Sequence, residues 1–167
     1  MTPPDFILAI AEKLSASSLG TTIAESSWFF PALEVAHVIG LTIVVGTIAV
    51  VDLRLLNASF RHRPITRLTE ETLPFTYTGF GLAVITGLLM FISDAVTYVE
   101  NPALQLKFAL LIIAGINIAI FHRMTYKNVA GWDLDVVPPF AARMAGAVSL
   151  ASWVLIVVCG RWIAFIE

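Results

Sequence analysis

The sequence is short of charge: only 13% of its 167 residues are Asp, Glu, Lys or Arg, about half of the roughly 25% usual in soluble domains. At the same time 58% are apolar, and a soluble domain this small has too much surface for its volume to hide that many apolar side chains. A membrane-embedded chain is the reading that remains. The ten Lys and Arg are dispersed and the formal net charge is −2, so no basic face exists and nucleic acid is not expected as a partner. Cysteine is nearly absent. With Cys159 alone there is no intrachain disulfide and no two-cysteine motif for zinc, c-type haem or redox exchange. The first residues carry no positive segment, and the apolar run from Phe6 to Ala11 meets Glu12 and Lys13 without a cleavage site, so no signal peptide is expected.

Against those absences stand four long apolar stretches, near 28–53, 73–94, 103–123 and 141–163. Each is long enough to cross about 30 Å of hydrocarbon as a helix. The expected fold is therefore all-α, a single domain over residues 1–167 built as a four-transmembrane-helix bundle in the lipid bilayer. Arg54, Arg61, Arg63, Arg67, Arg123, Lys127 and Arg143 fall on one side of the membrane, and Lys13, Lys107 and Arg161 on the other. That bias places both termini outside the cytoplasm, in a multi-pass protein of the inner membrane. Trp28 and Trp162 then belong to the outer aromatic belt and Trp132 to the inner one.

Local punctuation adds detail. Asn101 before Pro102 reads as a helix cap, and Pro74 and Pro138-Pro139 read as first-turn prolines of their spans. Phe6, Ile7, Ile10 and Leu14 share one face of a short amphipathic helix over about 4–14, which either lies on the membrane surface or packs on the outer end of the bundle. Residues 15–22 read as a linker, and a second short amphipathic helix follows Pro64. The short loop between the second and third spans predicts antiparallel neighbours. Gly79, Ala83 and Gly87 form a strip of small residues that lets another backbone approach, and Ala145 and Ser149 repeat the spacing. Tight packing within the chain and a homodimer seam both use such a strip.

Ionisable side chains inside a span cost at least a few kcal/mol each and mark candidate sites. Glu34 and His37, spaced i, i+3, project from one face of the first span. At about 1.5 Å per residue from Trp28, they lie roughly 9 Å and 13 Å below the outer boundary. Met90, Lys107, Cys159 and Arg161 fall in the same layer. Two arrangements remain open. In one, Glu34 neutralises Lys107 or Arg161 and His37 hydrogen-bonds a carbonyl or Glu34. In the other, His37 with Glu34, Met90 and Cys159 offers nitrogen, oxygen and soft sulfur ligands of the kind that suit copper. A carboxylate di-iron centre needs two Glu-x-x-His pairs and two further glutamates on facing helices, and the chain has one such pair. For b-type haem, His37, His62 and His122 are the only histidines, and His122 lies roughly 15 Å deeper than His37, so those two do not share an iron. On the inner side Asp52, Arg54, Arg123 and Arg143 read as structural ion pairs, and Asn117 as a hydrogen bond between helices.

The runs Ser27-Trp-Phe-Phe-Pro-Ala-Leu-Glu34-Val-Ala-His37, Val51-Asp-Leu-Arg-Leu-Leu56, Asn117 with Phe121-His-Arg123, and Gly160-Arg-Trp-Ile-Ala-Phe165 together resemble an uncharacterised bacterial family of small four-helix inner-membrane proteins, a domain of unknown function. The resemblance covers most of the chain and implies no activity or catalytic residue. His37-Val-Ile-Gly40 with Gly46 is also similar, over one helix, to the CopD type of copper-resistance membrane proteins, which implies copper. The functional expectation is a non-enzymatic membrane protein with an outer-leaflet pocket around Glu34 and His37 that binds a metal ion, copper first, or a small redox ligand. A structural or assembly subunit of a membrane complex and a b-type haem electron carrier are the alternatives.

Overall fold

A computed structural model describes residues 3–166. The order is α1 (Asp5–Ser15), α2 (Ser18–Glu25), α3 (Phe29–Leu55), α4 (Ile65–Ser93), α5 (Ala95–Glu100), α6 (Pro102–Ile120) and α7 (Phe140–Trp162). No strand occurs among the described residues. Four of the helical segments, built on α3, α4, α6 and α7, are long and apolar enough to span a bilayer, and the chain is a multi-pass membrane protein. The first and last described residues lie at one end of the four long helices, called the terminal end below; the 56–64 and 132–139 loops lie at the other, the loop end.

The helices are paired unequally. α3 lies along α4, α6 along α7, and α7 joins the pairs through α3. The expectation that α4 and α6 are packed neighbours is corrected: no comparable packing joins them. The connection is short, but α5 occupies it, and its turns hold the two helix ends apart.

Small residues decide the α3–α4 contact. A Cβ on Gly40 would lie 2.9 Å from both Ala83 N and Gly79 O, and one on Gly79 would lie 2.9 Å from Ile43 Cβ. The 79–83–87 strip is thus spent on packing within the chain. On α7 Gly146 makes a close approach, where a Cβ would meet Leu55 Cβ at 3.0 Å and Asp52 O at 3.1 Å. Val44, Leu110, Trp153, Ile156 and Cys159 fill the core toward the terminal end, and Leu55, Ile65, Phe121, Trp132 and Ala142 fill it at the loop end.

Several local expectations change. Pro74 lies inside α4, because the short helix expected after Pro64 is continuous with the span. Ile65 and Leu68 are buried, so this first part of the helix is held by packing and carries the chain through the proline. Most of residues 15–22, expected as linker, is helical, because α2 begins at Ser18. Ser17 caps it by accepting from Gly20 N at 3.1 Å, and Ile23 is fully buried. Trp132, expected in a lipid-facing belt, is buried in the core, whereas Trp28 and Trp162 are exposed. Beyond Ile120 the third span widens into a π-helical turn over Phe121–Thr125 and then tightens into a 3₁₀ stretch to Gly131. α1 packs on the end of the bundle, the second of the two arrangements expected. Ala11 is buried against the bundle end, with Ser15 Oγ accepting from Ala95 N at 2.8 Å, while Phe6 and Ile10 remain exposed.

Asn101 caps α6 as expected and reaches further. Its Oδ1 accepts from Ala103 N at 3.0 Å and Leu104 N at 3.3 Å, and its Nδ2 donates to Ile163 O and Ile166 O at 3.1 and 2.9 Å. It therefore ties the start of α6 to the end of α7. Asn101→Ala is expected to cost about 2 kcal/mol, a lost cap plus two orphaned carbonyls, read as a lower midpoint of thermal unfolding in detergent. Asn101→Asp keeps the cap and should recover part of the loss.

Candidate functional site

His37 sits on α3 where α4 approaches most closely. Its Nδ1 lies 3.1 Å from Thr86 Oγ1, and the Thr86 hydroxyl donates to Leu82 O at 2.7 Å. The single hydroxyl proton is spent on that carbonyl, so Nδ1–H is the donor to Thr86, and the proton position follows from this network. The Ala83 carbonyl is a second acceptor beside the ring. That tautomer leaves Nε2 with a free lone pair. Gly87 makes room for the ring: a Cβ there would lie 3.0 Å from His37 Cε1 and 3.4 Å from Nδ1. The small strip read from the sequence is therefore also the floor beneath the imidazole.

Lys107 enters from α6. It is close enough for its charge to act on His37, it lies within electrostatic reach of Cys159, and a Cβ on Gly160 would be 3.5 Å from its Nζ. All four spanning helices thus contribute to one layer. No carboxylate pairs with Lys107: the ion pairs among the described residues are His62–Asp135, Arg63–Glu71 and Arg67–Glu71. In a span, a cation without a counter-charge carries a desolvation cost of a few kcal/mol.

Glu34 is a correction. It is exposed, it bonds neither Lys107, Arg161 nor His37, and the nearby side chain that feels its charge is Tyr98 of α5. The i, i+3 spacing leaves a rotation of roughly 60° between the two side chains. On an α3 that turns His37 onto α4, this rotation and one turn of rise carry Glu34 off the packed face. Burial, then the charges of Asp94 and Glu34, hold the Tyr98 phenol above its ordinary range, so it is a protonated donor at neutral pH. Met90 is partly exposed on α4 and Cys159 is buried in the core. No three His, Cys, Asp or Glu among the described residues converge on a metal position. The metal set His37, Glu34, Met90 and Cys159 therefore finds no support in the geometry.

Beside this layer, between α4 and α6, lies a crevice of about 320 Å³ lined by Ile7, Phe91, Tyr98, Leu104, Gln105 and Phe108, together with Pro3, Pro4 and Val99.

The histidines at the loop end do not form a second centre. His62 bonds Asp135 at 3.0 Å and His122 bonds Ile118 O at 2.9 Å, both exposed. The ion pairs expected there are likewise corrected. Asp52 and Arg54, two residues apart, point to opposite sides of α3. Asp52 is buried with Ser149 as its hydroxyl donor, and its Oδ2 has no partner. Arg54 is wholly buried and donates to carbonyls instead: Nε to Arg63 O and Nη2 to Asp133 O, both at 2.9 Å. Arg123 and Arg143 are exposed, and Arg161 lies over the Phe165 ring at 4.7 Å. Asn117 donates to Ala145 O of α7 at 2.9 Å, as expected.

A family model matches residues 17–166, nearly the whole of the described chain and all four spanning helices. The chain belongs to DUF6644, a family of unknown function. The expectation of an uncharacterised family holds, and DUF6644 membership brings no activity, ligand or residue role. Neither a curated protein nor a solved structure matches the chain. For this DUF6644 chain the site rests on its own geometry. Sequence reasoning found His37 and Lys107 but assigned Lys107 to an ion pair, and it missed Thr86 and the role of Gly87 under the ring. The signal for both was available: 86 and 87 fall at the height where an antiparallel α4 passes His37.

Proposed function

We propose that this protein binds a small lipid-soluble molecule through its head group, at His37 and Lys107, in the leaflet of the terminal end. The observation that carries the reading is an unpaired Lys107 ammonium within electrostatic reach of an imidazole whose Nε2 is bare. Lys107 offers a donor and a positive charge, and His37 offers an acceptor, fixed in its tautomer by Thr86. A molecule with one hydroxyl to donate to His37 and a second oxygen to accept from Lys107 satisfies both at once; a quinol, with a hydroxyl at each end of its ring, has that chemistry. This refines the small redox ligand of the sequence reading, and copper and haem have no ligand set to support them. Glu34, exposed and unpaired, also gives little support to an assembly subunit locked by intramembrane charges. The excess of Lys and Arg at the loop end supports placing that end in the cytoplasm and the site in the outer leaflet of an inner membrane.

The test uses purified protein in nanodiscs and a tail-less benzoquinol, followed through the fluorescence of the tryptophans, of which Trp153 lies in the core beside Cys159. Lys107→Met and His37→Ala are each expected to weaken binding about tenfold or more, equivalent to at least about 1.4 kcal/mol. Thr86→Val, which frees the imidazole tautomer, should weaken it less. Failure of the wild-type protein to bind, or unchanged affinity in both Lys107→Met and His37→Ala, overturns the proposal.

A further inference from the structure

We infer that the crevice between α4 and α6, roofed by α1, receives the apolar tail of the ligand whose head lies at His37 and Lys107, so that the ligand is a long-chain amphiphile entering sideways from the lipid. This rests on the proposed head-group site and names the kind of molecule that reaches it.

Three observations carry it. First, α4 and α6 do not pack along each other as α3 and α4 or α6 and α7 do, so helix packing does not close the site on that side. Second, the opening holds about 320 Å³, at the lower end of the range of small-molecule pockets, and its surface is apolar apart from Tyr98 and Gln105. Third, both walls run into the head-group site at one-turn spacing. Leu104 and Lys107 stand i, i+3 on α6, and Gly87 and Phe91 stand i, i+4 on α4, so each pair shares a helix face. A chain leaving a head held at Lys107 therefore meets Leu104 and Phe91 within one turn of either helix. The roof is firm on its inner side, where Ala11 is buried and Ser15 holds Ala95, while Phe6 and Ile10 stay exposed and suited to an interfacial position in the lipid. The other crevice, lined by Leu56, Ala147, Leu150, Ala151, Val154 and Leu155, has no polar or ionisable side chain in its lining and serves as a control.

The experiment compares the tail-less benzoquinol with the same head carrying a decyl chain, in nanodiscs, with affinities expressed per molecule in the membrane. In the wild-type protein the chain should tighten binding about tenfold. Leu104→Trp, which fills the crevice, should abolish that gain and leave the tail-less probe unchanged, and Leu155→Trp in the control crevice should change neither. Gel filtration and thermal unfolding verify that each variant is folded. A tail that gives no gain in the wild-type protein, or a gain that survives Leu104→Trp, overturns the tail pocket while the head-group site stands, provided the tail-less probe still responds to Lys107→Met. Absence of tail-less binding to the wild-type protein removes both. A tail-borne photoreactive group should label Phe91, Leu104 or Phe108; labelling spread over the lipid-facing surface counts against the pocket.

Discussion

Gly40→Val is expected to destabilise the protein by about 3 kcal/mol or more, at the upper end of what overpacking costs. A Cβ at this position would lie 2.9 Å from Ala83 N and 2.9 Å from Gly79 O. Both obstacles are backbone atoms, which cannot rotate away as a side-chain tip can. The helices must separate, and the van der Waals contact that holds α3 to α4 in lipid is lost along with it. Ligand binding should fall too, since the same separation draws His37 away from Thr86 and Gly87. Unfolding titrations in mixed detergent micelles measure the first effect. Gly81→Val and Gly115→Val are the controls, because a Cβ at either meets nothing within 4 Å. If Gly40→Val proves as mild as those two, the close approach of α3 and α4 is wrong.

Arg54→Met is expected to cost about 3 kcal/mol, from two hydrogen bonds by a charged donor at roughly 1.5–3 kcal/mol each, partly offset by no longer burying the guanidinium. Methionine keeps most of the length and apolar bulk, so the loss reports hydrogen bonding more than packing. The residue is wholly buried, and its two bonds join Arg63 O in one loop to Asp133 O in the other. Asp133 meanwhile caps α4, accepting from Thr66 N at 2.9 Å and Thr66 Oγ1 at 2.8 Å. Loss of Arg54 thus loosens both loops and the start of α4 together. Protease sensitivity at 56–64 and 132–139 should rise along with the fall in stability, and Arg54→Lys should restore part of both. Equal stability of Arg54→Met and the wild-type protein would show that burying the guanidinium costs as much as its bonds return.

Much of the architecture was legible in residue order because hydropathy and capping are local properties. The four apolar stretches became four spans, Asn101-Pro102 became a capped helix start, and Asn117 found a carbonyl on a neighbouring helix. The 79–83–87 strip was read correctly as a contact surface. What failed were inferences about partners. Pro74 was read as a helix start because proline lacks an N–H, yet packing of Ile65 and Leu68 carries the helix through it. Asp52, Arg54, Lys107 and Arg161 were read as ion pairs because opposite charges shared a layer. Arg54 instead bonds carbonyls, Arg161 stacks on Phe165, and Asp52 and Lys107 are left without a counter-charge.

From the order of its residues alone this chain is an all-helical membrane protein, because the ratio of apolar to charged side chains and the length of each apolar run are fixed before anything packs. Only the tertiary structure decided that His37 turns onto Thr86 over Gly87, that Glu34 turns away from it, that Lys107 stands unpaired, and that α4 and α6 stay apart. Those outcomes depend on how far each helix is rotated about its axis, and rotation is set by where backbones approach closely, at Gly40, Gly79 and Gly146.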